Sequence, residues 1–223
     1  MIGLRPVGII GAGPIGSGLT HNLVRNGIGV VLHSRSLQNP ARTKASTPTP
    51  GLVTVAESIQ TVIDTLGTPR VIITAVSDTN TAKVLTELLD VVDEGDIVID
   101  VSNADAVETS LRQLDYAYRG AALLAGGLAS GEYGATNGIS LTVSGDGAAY
   151  EKVRGMLESI AMHIGDQPCV CYLGSGSSSH LVKTIHNGLE YSLMQLFSEI
   201  VVVLRELCGM GPRTNSRHAA FLE

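Results

Sequence analysis

Short apolar runs alternate along this chain with stretches whose apolar positions recur every three or four residues. Val7–Ile10, Gly29–His33, Leu52–Val55, Val71–Val76, Ile97–Val101 and Ala121–Ala125 have the length and β-branched content of buried strands. Between them, Ser17–Asn26, Ala56–Leu66, Thr81–Val92 and a segment completed by Leu111–Tyr116 follow helical periodicity, and Gly27 closes the first helix. Such alternation predicts a mostly parallel sheet with helices on both faces. Ser36–Gly51 holds three prolines among polar residues and is expected to be a loop, as is the glycine-rich stretch after Ala125. Ala148–Met162 reads as a helix and Val170–Leu173 as an edge strand. Gly174–Ser179 is a Gly/Ser stretch, and His180–Leu207 is a long helix.

Composition narrows the classes. With 44% hydrophobic and 16% charged residues, a sizeable core is available. A net charge of −6 and 4% aromatics argue against a nucleic-acid surface, so any anion must be held by local groups. Cys169 and Cys171 form C-x-C, and neither they nor Cys208 have partners at zinc spacing, so no metal is expected and the thiols read as reduced and mostly buried. No apolar run approaches the ~20 residues of a membrane span. The N-terminus runs into a strand within six residues, which leaves no room for a signal peptide. A soluble cytoplasmic protein is the expectation.

Gly11-Ala12-Gly13-Pro14-Ile15-Gly16 fits G-x-G-x-x-G between an apolar strand and a helix. The first glycine permits a tight turn, the second lets backbone approach a pyrophosphate, and the third allows helix and sheet to pack closely, while the helix N-terminus supplies N–H groups. An NAD site would place a carboxylate at the end of the second strand. Here that strand ends His33-Ser34-Arg35-Ser36, where a guanidinium between hydroxyls suits a 2′-phosphate. NADP is the expected cofactor, with a surface arginine as the bland alternative.

In the long helix, Lys183, His186, Asn187, Glu190 and Tyr191 fall at i, i+3, i+4, i+7 and i+8 and share one face. Gly188 costs about 1 kcal/mol in a helix interior, which suggests close approach of something to the backbone. Spacing alone leaves open a functional face and a solvated face with a Lys–Glu pair.

This segment resembles the signature of the 6-phosphogluconate dehydrogenase family, in which a lysine, His-Asn-Gly and Glu-Tyr recur at the same spacing. Asp100-Val101-Ser102-Asn103 is similar to the family's Asp-Gly-Gly-Asn, Gly127–Ala135 to its Gly-Val-Ser-Gly-Gly-Glu-Glu-Gly-Ala, and Ser34-Arg35-Ser36 to its Asn-Arg-Thr. The resemblance implies a Rossmann-type, doubly wound α/β domain over residues 1–176, followed by a catalytic helix that begins a truncated all-helical domain over 177–223. It implies oxidative decarboxylation of 6-phosphogluconate with Lys183 as base and Glu190 as proton donor. NADP would lie on Gly11, Ala12, Gly13, Pro14, Ile15, Gly16, Ser34, Arg35, Ser36, Ala75, Val76, Ser77 and Asn103. Substrate would meet Asn103, Ala129, Ser130, Gly131, His186, Asn187 and Tyr191.

Departures accompany the resemblance. Ala129 replaces a serine, a hydroxyl contact worth about 1.5–3 kcal/mol against a carboxylate, and Ser130 is the neighbour able to substitute. Val101 and Ser102 replace glycines and are expected to crowd the nicotinamide end. Ala75-Val76-Ser77-Asp78 lacks the family's lysine and adds an acid, and the family usually has a helix where Ser36–Gly51 reads as loop. Family members are also longer, and Gly209–Glu223 does not resemble their continuation, so Leu193, Leu196, Phe197, Ile200, Val203, Leu204 and Leu207 would lack cover. Three readings follow: a shortened 6-phosphogluconate dehydrogenase, another β-hydroxyacid dehydrogenase of hydroxyisobutyrate type, or a non-catalytic NADP-binding module. A homodimer, or association through the exposed helix, is expected.

Overall fold

The computed structural model describes residues 5–209. In chain order the strands are β1 (Val7–Ile10), β2 (Val30–His33), β3 (Val53–Ala56), β4 (Val71–Thr74), β5 (Ile97–Asp100), β6 (Ala122–Leu128), β7 (Leu141–Ser144), β8 (His163–Ile164), β9 (Gln167–Pro168) and β10 (Val170–Tyr172). The helices are α1 (Pro14–Arg25), α2 (Gln38–Ser46), α3 (Ile59–Thr65), α4 (Asp78–Val91), α5 (Ala106–Tyr118), α6 (Gly131–Asn137), α7 (Gly147–Ser159) and α8 (Ser178–Glu206). Eight strands form one sheet in the order β10-β7-β6-β5-β4-β1-β2-β3. β1 to β6 are mutually parallel, whereas β7 runs against β6 and β10 follows β7.

Alternation along the strands builds a core on each face. Ile9, Ile99 and Leu124 pack with Leu19 and Leu23 of α1 and Leu157 of α7. Ile10, Ile72, Val98 and Leu123 pack on the other side with Val62 of α3, Leu85 and Leu88 of α4 and Tyr116 of α5. Gly18 is where α1 meets α6, because a Cβ there would lie 2.8 Å from that of Ala135.

Two expected loops are ordered differently. Ser36–Gly51 contains α2 and a short 3-10 turn at Pro50–Leu52. Pro40 is tolerated because it sits in the first turn of α2, where a backbone donor has no helical acceptor in any case. Side chains fasten α2 to α1, with Thr43 Oγ1 2.8 Å from Ser17 Oγ and Ser46 Oγ 3.0 Å from His21 Nε2. After Ala125, β6 continues through Gly126-Gly127 to Leu128 and is followed by α6. The exposed Cys171 and Cys208 and half-buried Cys169 also differ from the buried thiols expected.

The chain divides into two compact units, one ending at Lys183 and the other beginning at Thr184. In the second unit, the described residues are exposed apart from half-buried Asn187. Among the described residues, no helix is long and apolar enough to cross a membrane.

Candidate functional site

The chain runs from β1 outward through β2 and β3, then returns to β4 on the other side of β1. At that reversal the two adjoining connections diverge, leaving a crevice at the C-terminal ends of the strands. A cleft of about 610 Å³ opens there. Gly11 adopts φ +112°, and a Cβ on it would run into the Ala75 carbonyl. Its N–H donates to the His33 carbonyl at 2.8 Å. A Cβ on Gly16 would strike the Gly11 carbonyl, so the third glycine brings α1 hard against the turn. Gly13 faces open space and caps α1 without a side chain. The first-turn N–H groups of α1 have no acceptor within their own helix, which makes this end a cradle for a pyrophosphate.

Gly11 to Ile15, Ser34, Arg35, Ala75, Val76, Ser77 and Asn103 all line the cleft. Gly16 is buried behind them, and Ser36 is exposed outside the lining. Ile59, Asn80, Lys83, Val84 and Glu87 line it as well and escaped sequence reasoning. The last four have a signal of their own: 80, 83, 84 and 87 are i, i+3, i+4 and i+7 on α4. Lys83 Nζ lies 3.7 Å from Glu87 Oε1. Asp78 accepts the Asn103 N–H at 3.1 Å, so the acid at this departure from the family pattern holds Asn103's backbone in place.

Val101 and Ser102 were expected to crowd this end. Both line the cleft, but the Ser102 hydroxyl is drawn back to Asp100 Oδ2 at 2.9 Å. Val101 packs over β6, its Cγ1 3.0 Å from where a Cβ on Gly126 would stand. Ala129 is exposed, and its N–H donates to the Ser140 carbonyl at 3.0 Å. Ser130 Oγ accepts the Ser140 N–H at 3.2 Å, and Gly131 opens α6 at φ +57°.

Buried anchors fasten the start of α8. Ser177 Oγ donates to the Ala106 carbonyl at 2.6 Å, and Ser179 and His180 are almost wholly buried. Half-buried Lys183 follows one turn later. In the second unit, His186 Nδ1 lies 3.8 Å from Glu190 Oε2 and 3.5 Å from Asn187 Oδ1, and Tyr191 is exposed. The close approach expected at Gly188 is not seen among the described residues, since a Cβ there would meet nothing within 4 Å.

Comparison with known proteins agrees with this geometry. Residues 6–174 match the model of the NAD binding domain of 6-phosphogluconate dehydrogenase, and residues 179–220 match that of its C-terminal domain. The second match passes the point near Leu207 where the resemblance was expected to end, so the likeness continues beyond the described residues. A decarboxylating 6-phosphogluconate dehydrogenase of Synechococcus elongatus is 34% identical over 208 residues, covering 93% of this chain and 44% of its own. The NADP(+)-dependent decarboxylating enzyme of Bacillus subtilis is 31% identical over 220 residues, covering 98% and 46%. The Plasmodium falciparum 6-phosphogluconate dehydrogenase structure superposes with a TM-score of 0.82 at 29% identity, covering 92% of this chain and 44% of that one. The chain thus spans less than half the length of these relatives. The fold is shared more widely, as with a Mycobacterium tuberculosis 3-hydroxyisobutyrate dehydrogenase at TM-score 0.75 and 19% identity, covering 93% of this chain and 67% of that one.

Proposed function

Since the chain belongs to the 6-phosphogluconate dehydrogenase family, we propose that it binds NADP and carries residues for NADP-dependent oxidative decarboxylation of 6-phosphogluconate to ribulose 5-phosphate and CO₂. The observation that carries this reading is a cleft at the strand-order reversal whose glycine cradle has room for a pyrophosphate. It also has an arginine, not a carboxylate, at the end of β2. Gly11 to Gly16 would hold the pyrophosphate, and Ser34, Arg35 and Ser36 the 2′-phosphate. Ala75, Val76, Ser77 and Asn103 would flank the remainder. When bound, the dinucleotide supplies the hydride acceptor.

The chain's own groups handle protons and position. Neutral Lys183 Nζ would accept the proton of the substrate 3-hydroxyl, a role that needs an amine held uncharged by its surroundings. Once protonated, it would stabilise negative charge on the 3-oxygen while the C1 carboxylate departs as CO₂. Glu190 would then give a proton to C1. Asn103, Ala129 to Gly131, His186 and Asn187 would orient the substrate, and Tyr191 would meet its phosphate. The domain boundary in this reading lies near 176/177. The protein acts in the cytoplasm, and a second copy of the chain meets it along exposed α8.

Glu190 separates this reading from a simple β-hydroxyacid dehydrogenase, because a decarboxylation needs a late proton donor. A second reading keeps the cofactor site without turnover by this chain alone, and the exposed apolar surface of α8 favours it. Reduced-nicotinamide absorbance with 6-phosphogluconate and NADP, together with CO₂ release, decides among them. Lys183→Met is expected to abolish turnover while NADP binding survives; a near-normal rate in that variant refutes the assignment.

A further inference from the structure

The junction of α8 with the sheet is closed by polar side chains. Ser179 Oγ accepts the Gly127 N–H at 2.7 Å and donates to the Thr142 carbonyl at 2.7 Å, and Ser179 N–H donates to Ser144 Oγ at 2.9 Å. Gly127 must lack a side chain for this, since a Cβ there would stand 2.9 Å from both Ser179 Oγ and its carbonyl oxygen. On the next residue, the His180 ring is 1% exposed, with Nε2 3.1 Å from the Asp100 carbonyl and Nδ1 2.9 Å from Thr109 Oγ1. Nε2–H therefore donates to Asp100. Asp100 ends β5 and leads into Val101–Asn103, and Gly127 lies in β6, two residues before Ala129–Gly131. Two adjacent residues thus tie the helix to the roots of both loops given to substrate, one turn before Lys183.

We propose that Ser179 and His180 are positioning residues that set the place of Lys183 against the Asn103 and Ala129–Gly131 loops. The proposal rests on the function proposed above. A buried polar group held on two sides has one low-energy arrangement, so it fixes register where apolar packing would permit sliding. Dispensing with the ring at 180 would leave the Asp100 carbonyl without its donor and let the first turn of α8 shift.

The test compares His180→Ala with His180→Gln, whose amide can restore donation to Asp100, in the full chain. The four lysines (Lys44, Lys83, Lys152 and Lys183) are dimethylated with ¹³C and titrated by NMR, the Lys183 signal being identified by its loss in Lys183→Arg. His180→Ala is expected to displace the Lys183 signal and its titration midpoint, and His180→Gln to bring both back. NADPH affinity should stay within about twofold in either variant, while 6-phosphogluconate affinity falls about tenfold or more in His180→Ala and recovers in His180→Gln (about 1.4 kcal/mol per decade). A Lys183 titration unchanged in folded His180→Ala overturns the proposal. If His180→Ala does not fold, near-isosteric Thr109→Val takes its place; a displaced Lys183 signal supports the proposal and an unmoved one overturns it. Failure of the unaltered chain to bind 6-phosphogluconate overturns the function proposed above instead, and the Lys183 titration still decides the positioning.

Discussion

Arg35 carries the choice of cofactor in the proposed reading. It is exposed at the end of β2 and lines the cleft, where a guanidinium can pair with a phosphate dianion. A charge-assisted contact of this kind is worth about 1.5–3 kcal/mol. Arg35→Ala should therefore weaken NADP binding by about 10- to 100-fold while leaving NAD binding nearly unchanged, as read by fluorescence titration with the two reduced dinucleotides. Equal losses for both would remove Arg35 from the 2′-phosphate. Asp78 acts on the same cleft in a different way, bracing the Asn103 backbone from the first turn of α4.

Among the elements, β4 and β5 are stitched at the end away from the cleft. Asp96, fully buried, accepts the Arg70 N–H at 2.7 Å, the Arg70 guanidinium at 2.7 Å and the Asp93 N–H at 3.0 Å. Removing Asp96 leaves the Arg70 guanidinium with Asp93 Oδ2 at 2.8 Å and strands the Arg70 and Asp93 N–H groups, at a cost of about 1–3 kcal/mol for each. Asp96→Ala should lower the urea midpoint accordingly, with cofactor affinity in the folded fraction unchanged. The strands β1, β2, β4 and β5 were legible because their apolar runs are short, β-branched and bounded by turns. The cradle was legible because its glycines sit between a strand and a helix. α2 was hidden because proline reads as a breaker unless its place in the first turn is known. β6 was cut short because Gly126-Gly127 resembles a loop, although the glycines are there to admit Val101 and Ser179. α6 went unseen for the same reason, and β7 because its four residues lie between Gly138 and Gly145 in what reads as one glycine-rich stretch. Ser177 and Ser179 read as linker and prove to be anchors.

At the scale of the whole molecule, the described part of the second unit is an exposed helix. Leu189, Leu193, Phe197 and Val202 are more than half exposed, and Leu189, Leu193, Leu196, Ile200, Val203 and Leu207, spaced three and four residues apart, form an exposed stripe along the helix. Contiguous apolar surface of this extent marks an association site. Sedimentation of the full chain is expected to show a dimer, and Phe197→Glu with Ile200→Glu should shift it toward monomer without altering NADP affinity. A monomer at all concentrations would sink the pairing along α8. Within the first unit, the anchoring of Ser179 has a practical corollary for redesign. Where Gly127 receives Ser179, the glycine's N–H is held by the buried Ser179 hydroxyl and there is no room for a Cβ, so the spacing there is set away from the exposed tips of the neighbouring loops. Residues 129–131 can be varied to seek new acceptors for a smaller or larger acid, and the amine would keep its station throughout the library.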